Sequence, residues 1–439
     1  MLAPQAFQTH TLRTHPHGPA VTRILSAALQ AVEPGQAVQR FLEHRGRELH
    51  VAGQVYPLDK IGRILLLGVG KATEAMSTPL LDLTTRGLLI PKQAFLPPSA
   101  GYAVCPGGHP VPDENSLQAG SLALDLVRGL DETDLLICLI SGGGSALMTA
   151  PYPGLSLLDL RALTSALLAC GARIDEINTL RRHLDQVKGG GLARAAAPAR
   201  VVSLILSDVV GNPLEAIGSG PTAPDPTTRA DALAVLEKYG LTEKVPAAVL
   251  KTLQTAPETP KPGDRLFERV QNVLVGSNAL AAQAALEQAR AEGFQTVFLG
   301  ETWQGEAREV AKTLCARLKM ERNRPICWVA GGETTVTLGQ SSGLGGRNQE
   351  LALAAVTELA GLENVLLVTL ATDGEDGSTP AAGAVVTGES HQRAQALGLD
   401  PGVFLACHDS FHFFEALGDL LHPGPTGTNV NDLTFLFAF

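Results

Sequence analysis

Short apolar runs rich in Val, Ile and Leu alternate along this 439-residue chain with longer Ala- and Leu-rich stretches of helical period. That alternation constrains the fold more than any other feature. The runs RILLLG (63–68), DLLICLI (134–140), RVVSLIL (200–206), VLVG (273–276), TVFLG (296–300), ICWVAGG (326–332) and VLLVTLA (365–371) read as strands buried on both faces. Helices are expected at 115–130, 156–170, 277–292, 304–319 and 347–360. Strand and helix in repeated succession imply an α/β protein with mostly parallel sheets flanked by helices. A domain averages about 150 residues, so two to three are expected. The segment TLQTAPETPKPGDR (252–265), with three prolines, reads as a linker. The expectation is a Rossmann-like N-terminal domain over 1–255, a second α/β domain over 265–439, and a cleft between them.

Charge narrows the partners. Lys plus Arg number 34 against 44 Asp plus Glu, a formal balance of −10. No basic run is present, so a nucleic acid or an anionic membrane surface is not the expected partner. The six cysteines are scattered without a C-x-x-C pair, which argues against a zinc site or a disulfide framework. The N-terminal residues show no apolar signal core, and apolar runs such as LLICLI (135–140) fall far short of the ~20 residues of a membrane span. A cytoplasmic location is expected.

Several strands end in small-residue turns, where ligands of open α/β sheets collect. In LLLGVGKATEAM (65–76), Leu65 stands where a P-loop needs glycine, and Thr73 occupies the third glycine position of a dinucleotide fingerprint. What remains is a tight turn with Lys71 near a helix start. The macrodipole disfavours a cation there by a few tenths of a kcal/mol, which a bound phosphate would offset; a solvated lysine on an ordinary turn fits the same residues. In LISGGGSALM (139–148), Ser141, Gly142, Gly143, Gly144 and Ser145 form a candidate anion nest for substrate or phosphate. A nucleophile elbow centred on Ser145 would need a glycine where Leu147 stands. Asp208, directly after a strand, suits either Mg²⁺ ligation or proton acceptance, and equally a helix cap.

In the C-terminal half, Arg347 follows two glycines and opens a helix, a position suited to clamping phosphate oxygens or to plain solvent exposure. Asp373 and Asp376 are candidate Mg²⁺ ligands or solvated turn acids; the spacing of an EF-hand is absent. His109 precedes a proline and is a candidate cleft residue. Arg181 lies with Arg182, His183 and Lys188 in a small cationic cluster suited to holding a carboxylate, or to a solvated helix face.

Eight blocks together carry a resemblance. GVGKA (68–72), GGHPVPDEN (107–115), SGGGSAL (141–147), INTLRRHL (177–184) with KGGGLA (188–193), SGPTAPDPTT (219–228), GLGGRNQEL (343–351), TDGEDG (372–377) and GPTGTNVNDL (424–433) occur in order over nearly the whole chain. They resemble those of the class II glycerate kinase family, the glycerate 2-kinases or MOFRL family. The resemblance implies a two-domain α/β fold with the active site in the interdomain cleft, and transfer of phosphate from ATP, with Mg²⁺, to D-glycerate, most often giving 2-phosphoglycerate. It places the family's catalytic lysine on Lys71 and its catalytic arginine on Arg347. Two positions depart from the family pattern: Asn212 and Pro213 replace paired aspartates after Gly211, and Pro380 replaces another. An NAD(P)H-dependent hydroxypyruvate reductase is the alternative activity, and a silent sugar-acid-binding module a third reading.

Overall fold

In the computed structural model, residues 2–339 and 343–439 are described. The chain forms two compact units, one running from Pro34 to Val275 and the other combining the chain up to Glu33 with Gly276–Phe439. The first is therefore an insertion within the sequence of the second.

The inserted unit begins with a small antiparallel sheet, β1 (Leu42–Arg45), β2 (Glu48–Val51) and β3 (Gln54–Pro57). Its main sheet uses β4 (Ile64–Val69), β5 (Arg86–Ile90), β6 (Tyr102–Val104), β7 (Leu135–Ile140), β8 (Arg200–Leu206) and β9 (Val270–Gly276). The spatial order is β6-β5-β4-β7-β8-β9, and every pairing from β6 through β8 is parallel. This is the doubly wound order of a Rossmann fold, in which the winding reverses between β4 and β7. One face of the sheet packs Leu65, Leu67, Leu136, Cys138, Val201 and Ile205 into a core with the covering helices. Helices of this unit start at sequence-encoded caps. The Asp113 and Ser156 side chains accept N–H bonds from Ser116 and Asp159, which answer in reciprocal capping boxes; each such cap is worth about 1 kcal/mol.

The discontinuous unit holds β10 (Gln295–Phe298), β11 (Trp303–Glu306), β12 (Ile326–Thr335), β13 (Val365–Ala371), β14 (Gly383–Thr387), β15 (Leu420–Leu421) and β16 (Asp432–Ala438). Its order is β10-β12-β16-β13-β14-β15, with β11 also on β12. β10 and β11 run parallel to β12, whereas β16 is antiparallel to both β12 and β13, and β14 to β13. This sheet is mixed, unlike the parallel arrangement expected from strand–helix alternation, because the buried run of β16 enters between two mutually parallel strands. Among the described residues, no helix is long and apolar enough to cross a membrane.

Two stretches sit differently from their sequence reading. The helix Gly18–Ala31 packs on the helix Asn278–Ala291, with an Arg23–Glu292 ion pair at 2.6 Å, so the N-terminal residues complete the second unit. The proline-rich segment within 252–265 is a strap on the inserted unit rather than a free linker. Thr259 Oγ1 donates to Asp225 (3.0 Å), the Asp225 N–H donates to the Pro260 carbonyl (2.9 Å), and Arg194 donates to the Glu258 carbonyl (2.8 Å). Its composition suggested freedom; buried polar contacts remove it.

Candidate functional site

The winding reversal of the inserted unit brings two small-residue turns side by side. Gly70, which follows β4, has φ +126°, and a Cβ there would lie 2.2 Å from Ser141 Oγ. Only glycine lets the two turns approach so closely. The Lys71 N–H donates to the Gly142 carbonyl (2.9 Å), and the Ala72 N–H donates to Ser141 Oγ (3.1 Å). The Ser141 hydroxyl is thus buried and braces the lysine turn. Lys71 itself is exposed.

Around the glycines three candidate side chains converge. A Cβ on Gly142 would meet Asp208 Oδ2 at 2.1 Å; one on Gly143 (φ +86°) would lie 2.9 Å from the His109 ring and 3.6 Å from Lys71 Cγ. Lys71, His109 and Asp208, from three separate loops, therefore share one crevice over Gly142–Gly144. Burial moves the Asp208 carboxyl up from its ordinary value, against the pull of its own amide and of Lys71. Burial, with Lys71 and Lys92 nearby, moves His109 down, which favours a neutral imidazole. Ser145 shares a hydrogen bond with Ser219 (Oγ–Oγ 2.6 Å), a residue not singled out in the sequence although it opens the SGPTAPDPTT block. Ser219 holds a left-handed φ of +62°, a conformation that costs a non-glycine residue on the order of 1 kcal/mol. Arg181 shares a cavity with Ser145, so the nest continues into a second space.

The other unit presents Arg347 at the first position of the helix Arg347–Glu358. Its Nε and Nη2 donate to the Asp432 carboxylate (2.5 and 3.2 Å), and Nη1 pairs with Glu333 (2.9 Å). Asp432 opens β16 opposite Gly332 of β12 and Ala371 of β13, so it lies at the carboxyl ends of both strands. Neither Asp432 nor Glu333 was singled out from the sequence, because pairing across strand ends has no local signature. Arg347 lines a space of roughly 530 Å³ with Glu333, Thr334, Gly345 and His408.

Asp376, expected as a metal ligand, has a different task. Its carboxylate accepts the backbone N–H groups of Asn348 (3.1 Å) and Gln349 (2.9 Å) and both side-chain amides (3.3 and 3.1 Å). It caps the helix that carries Arg347. Asp373 is half-buried in the adjoining turn, where its carboxylate accepts the Glu375 N–H (3.3 Å). Among the described residues, no group of three or more His, Cys, Asp or Glu side chains is spaced to hold a metal ion.

Burial, and then the charge of Asp432, push the Asp376 carboxyl up to about 6. The unfolded group titrates near the ordinary ~3.9, so between about pH 4 and 6 the folded chain binds the extra proton. The contribution of this group to stability therefore falls as pH rises through that window. The unfolding free energy of wild type minus that of Asp376→Asn should decline from about pH 4 to 6 and then level off; a flat difference refutes the assignment.

Fold and site together define a doubly wound α/β protein whose polar side chains gather at the carboxyl ends of its strands, the ligand-binding arrangement of such sheets. Residues 20–254 match the family model described as "Domain of unknown function (DUF4147)", and residues 326–432 match the MOFRL family. The chain is 39% identical over 423 residues to the D-glycerate 2-kinase of Thermotoga maritima, covering 93% of this chain and 95% of that protein. It is also 39% identical over 422 residues to a putative hydroxypyruvate reductase of Agrobacterium vitis (94% and 92% covered). The crystal structure of a T. maritima glycerate kinase superposes with a TM-score of 0.86 at 38% identity, covering 96% of this chain and 99% of that one. The chain belongs to the glycerate kinase family that carries the MOFRL domain.

Proposed function

We propose that this chain phosphorylates D-glycerate from ATP to give 2-phosphoglycerate. The observation that carries the reading is the shared crevice of Lys71, His109 and Asp208 over Gly142–Gly144, in a chain similar to a D-glycerate 2-kinase over nearly its full length. Phosphoryl transfer asks a protein chiefly for positioning and charge stabilisation. Held reactants alone account for roughly 7–11 kcal/mol of barrier lowering.

Each residue has a task in this reading. The exposed Lys71 ammonium neutralises oxygens of the transferring phosphoryl group. Arg347 has five N–H donors, of which its two carboxylates engage Nε and one N–H on each terminal nitrogen, leaving two to reach phosphate. Asp208, raised by burial, accepts the proton of the attacking hydroxyl. The acceptor's carboxylate is held by Arg181 and Ser145, with His109 orienting a hydroxyl, while the side-chain-free Gly142–Gly144 backbone admits close approach. Magnesium brought by the nucleotide would be held on the protein side by a carboxylate, for which Asp373 is the candidate, and would neutralise phosphate charge. Lys71 belongs to the inserted unit and Arg347 to the discontinuous one, and the reading assigns both to the same phosphoryl group.

Incubation with ATP, Mg²⁺ and D-glycerate, followed by phosphorus NMR, tests the proposal. A 2-phosphoglycerate resonance is expected; 3-phosphoglycerate would correct the position, and no phosphoglycerate would refute the reading. For the reductase alternative, the dinucleotide fingerprint is incomplete: Thr73 is fully buried where its third glycine belongs, with Cγ2 against Gly68. Consumption of NADH with hydroxypyruvate would reverse that conclusion.

A further inference from the structure

Beside the glycine crevice, the inserted unit contains a second space of roughly 260 Å³, between the helices Leu157–Ala169 and Ile174–His183 and the loop at 110–112. A single water needs only about 10–15 Å³ of such space, so the cavity far exceeds a trapped solvent molecule. Its walls are aliphatic, with Leu160, Leu163, Leu167, Leu180 and Leu184 among them.

The charges on its lining do not balance. Arg161, Arg181 and Lys188 share it with a single carboxylate, Asp185. Lys188 is satisfied: its ammonium lies 2.5 Å from Asp185 and donates to the Met148 carbonyl and Thr149 Oγ1. Among the described residues, Arg161 donates only to the Pro112 carbonyl, and Arg181 only to Asn178 Oδ1 at 3.4 Å. Among the described residues, two guanidinium groups are thus left without a carboxylate, on a chain whose overall charge is −10. Burial also draws Arg181 below its ordinary value, the mark of a cation without compensation. By contrast, the adjacent Arg182 is paired with the buried Asp225 at 2.9 Å.

We infer that this cavity is a binding site for a small aliphatic monocarboxylate, its carboxylate on Arg181 and Arg161 and its hydrocarbon body against the leucine wall. A planar guanidinium suits a carboxylate through paired N–H bonds. An apolar wall with a few convergent polar groups is the usual construction of a small-molecule site. A purely inorganic anion would leave the leucines without a partner, and a neutral hydrocarbon would leave both cations so. The inference rests on the kinase reading only where both use Arg181 as a carboxylate anchor.

Isothermal titration with sodium hexanoate, in the absence of nucleotide, tests it. Hexanoate carries four more methylenes than acetate, and complete burial of each is worth about fourfold in affinity. Even partial burial should make hexanoate bind at least about tenfold more tightly than acetate, and hexylammonium should not bind. Arg181→Gln should weaken hexanoate at least about tenfold, and Arg161→Gln, tested in parallel, should weaken it as well. Circular dichroism confirms that each variant is folded. The inference is overturned if hexanoate gives no binding heat with wild type, if acetate binds as tightly, or if neither substitution weakens it. Turnover is read separately. Glycerate phosphorylated without hexanoate binding refutes this inference alone, and hexanoate bound without glycerate turnover refutes the kinase reading alone.

Discussion

Turnover of ATP with D-glycerate should drop at least about a hundredfold when either Lys71 or Arg347 is replaced by Ala. Removal of one preorganised donor at a developing charge typically costs about 10²–10³ in rate. The two substitutions should differ in everything but that. Lys71 is exposed and its side chain makes no ion pair among the described residues, so Lys71→Ala should leave the unfolding midpoint unchanged. Arg347 is gripped by Asp432 and Glu333. Its removal exposes the Asp432 carboxylate to Asp376 without a compensating cation, so Arg347→Ala should lose stability as well as rate. Arg347→Lys separates the effects: the charge remains, but the two-pronged grip on Asp432 does not. Steady-state rates on variants with native far-UV spectra decide the matter, and near-normal turnover removes that residue from the mechanism.

Asp225→Ala should destabilise the inserted unit by about 3–5 kcal/mol, the usual consequence of removing one partner from a buried ion pair. Asp225 is 0% exposed. It lies 2.9 Å from Arg182 Nε, an approach bent enough to be ionic rather than a hydrogen bond, and it accepts N–H and O–H bonds from Thr227 and an O–H bond from Thr259. His183 Nε2 sits 3.6 Å away. Loss of this carboxylate leaves Arg182 buried without a counter-charge and also releases the proline-rich strap. For a unit of this size, 1 kcal/mol shifts the midpoint by about 2–4 °C, so a fall of roughly 6–20 °C in the thermal transition is expected. An exposed control, Glu43→Ala on the small sheet, should stay within about 0.5 kcal/mol. A small shift for Asp225→Ala would show that the strap is held by its backbone contacts alone.

Strand and helix periods were legible where the chain is locally self-consistent. β4, β7 and β8 are continuous apolar runs and were found, as were the helices capped by Asp113, Ser156 and Ser277. β5, β14 and β16 were not among the expected strands. β16 runs antiparallel between β12 and β13, an arrangement set by partners distant in sequence. The small-residue turns at Lys71 and at Ser141–Ser145 were legible because their composition is costly without a reason. Their mutual contact was not, since it depends on strand order. The same limit explains Asp376. A lone aspartate after a strand looks like a ligand until the helix amides it accepts come into view, and those belong to Asn348 and Gln349, 28 and 27 residues away. Asp432 escaped notice for the same reason.

One consequence follows from the insertion of one unit within the sequence of the other. During synthesis, the helix Gly18–Ala31 emerges long before Asn278–Ala291, the surface it covers. At roughly 5–20 residues per second, the intervening chain keeps that amphipathic helix waiting for tens of seconds. Meanwhile the residues from Pro34 to Val275 already contain all they need to assemble a core. Nascent chains halted shortly after Val275 should therefore hold a protease-resistant middle and a cleavable front end, and the front end should gain protection only after translation runs on toward Phe439.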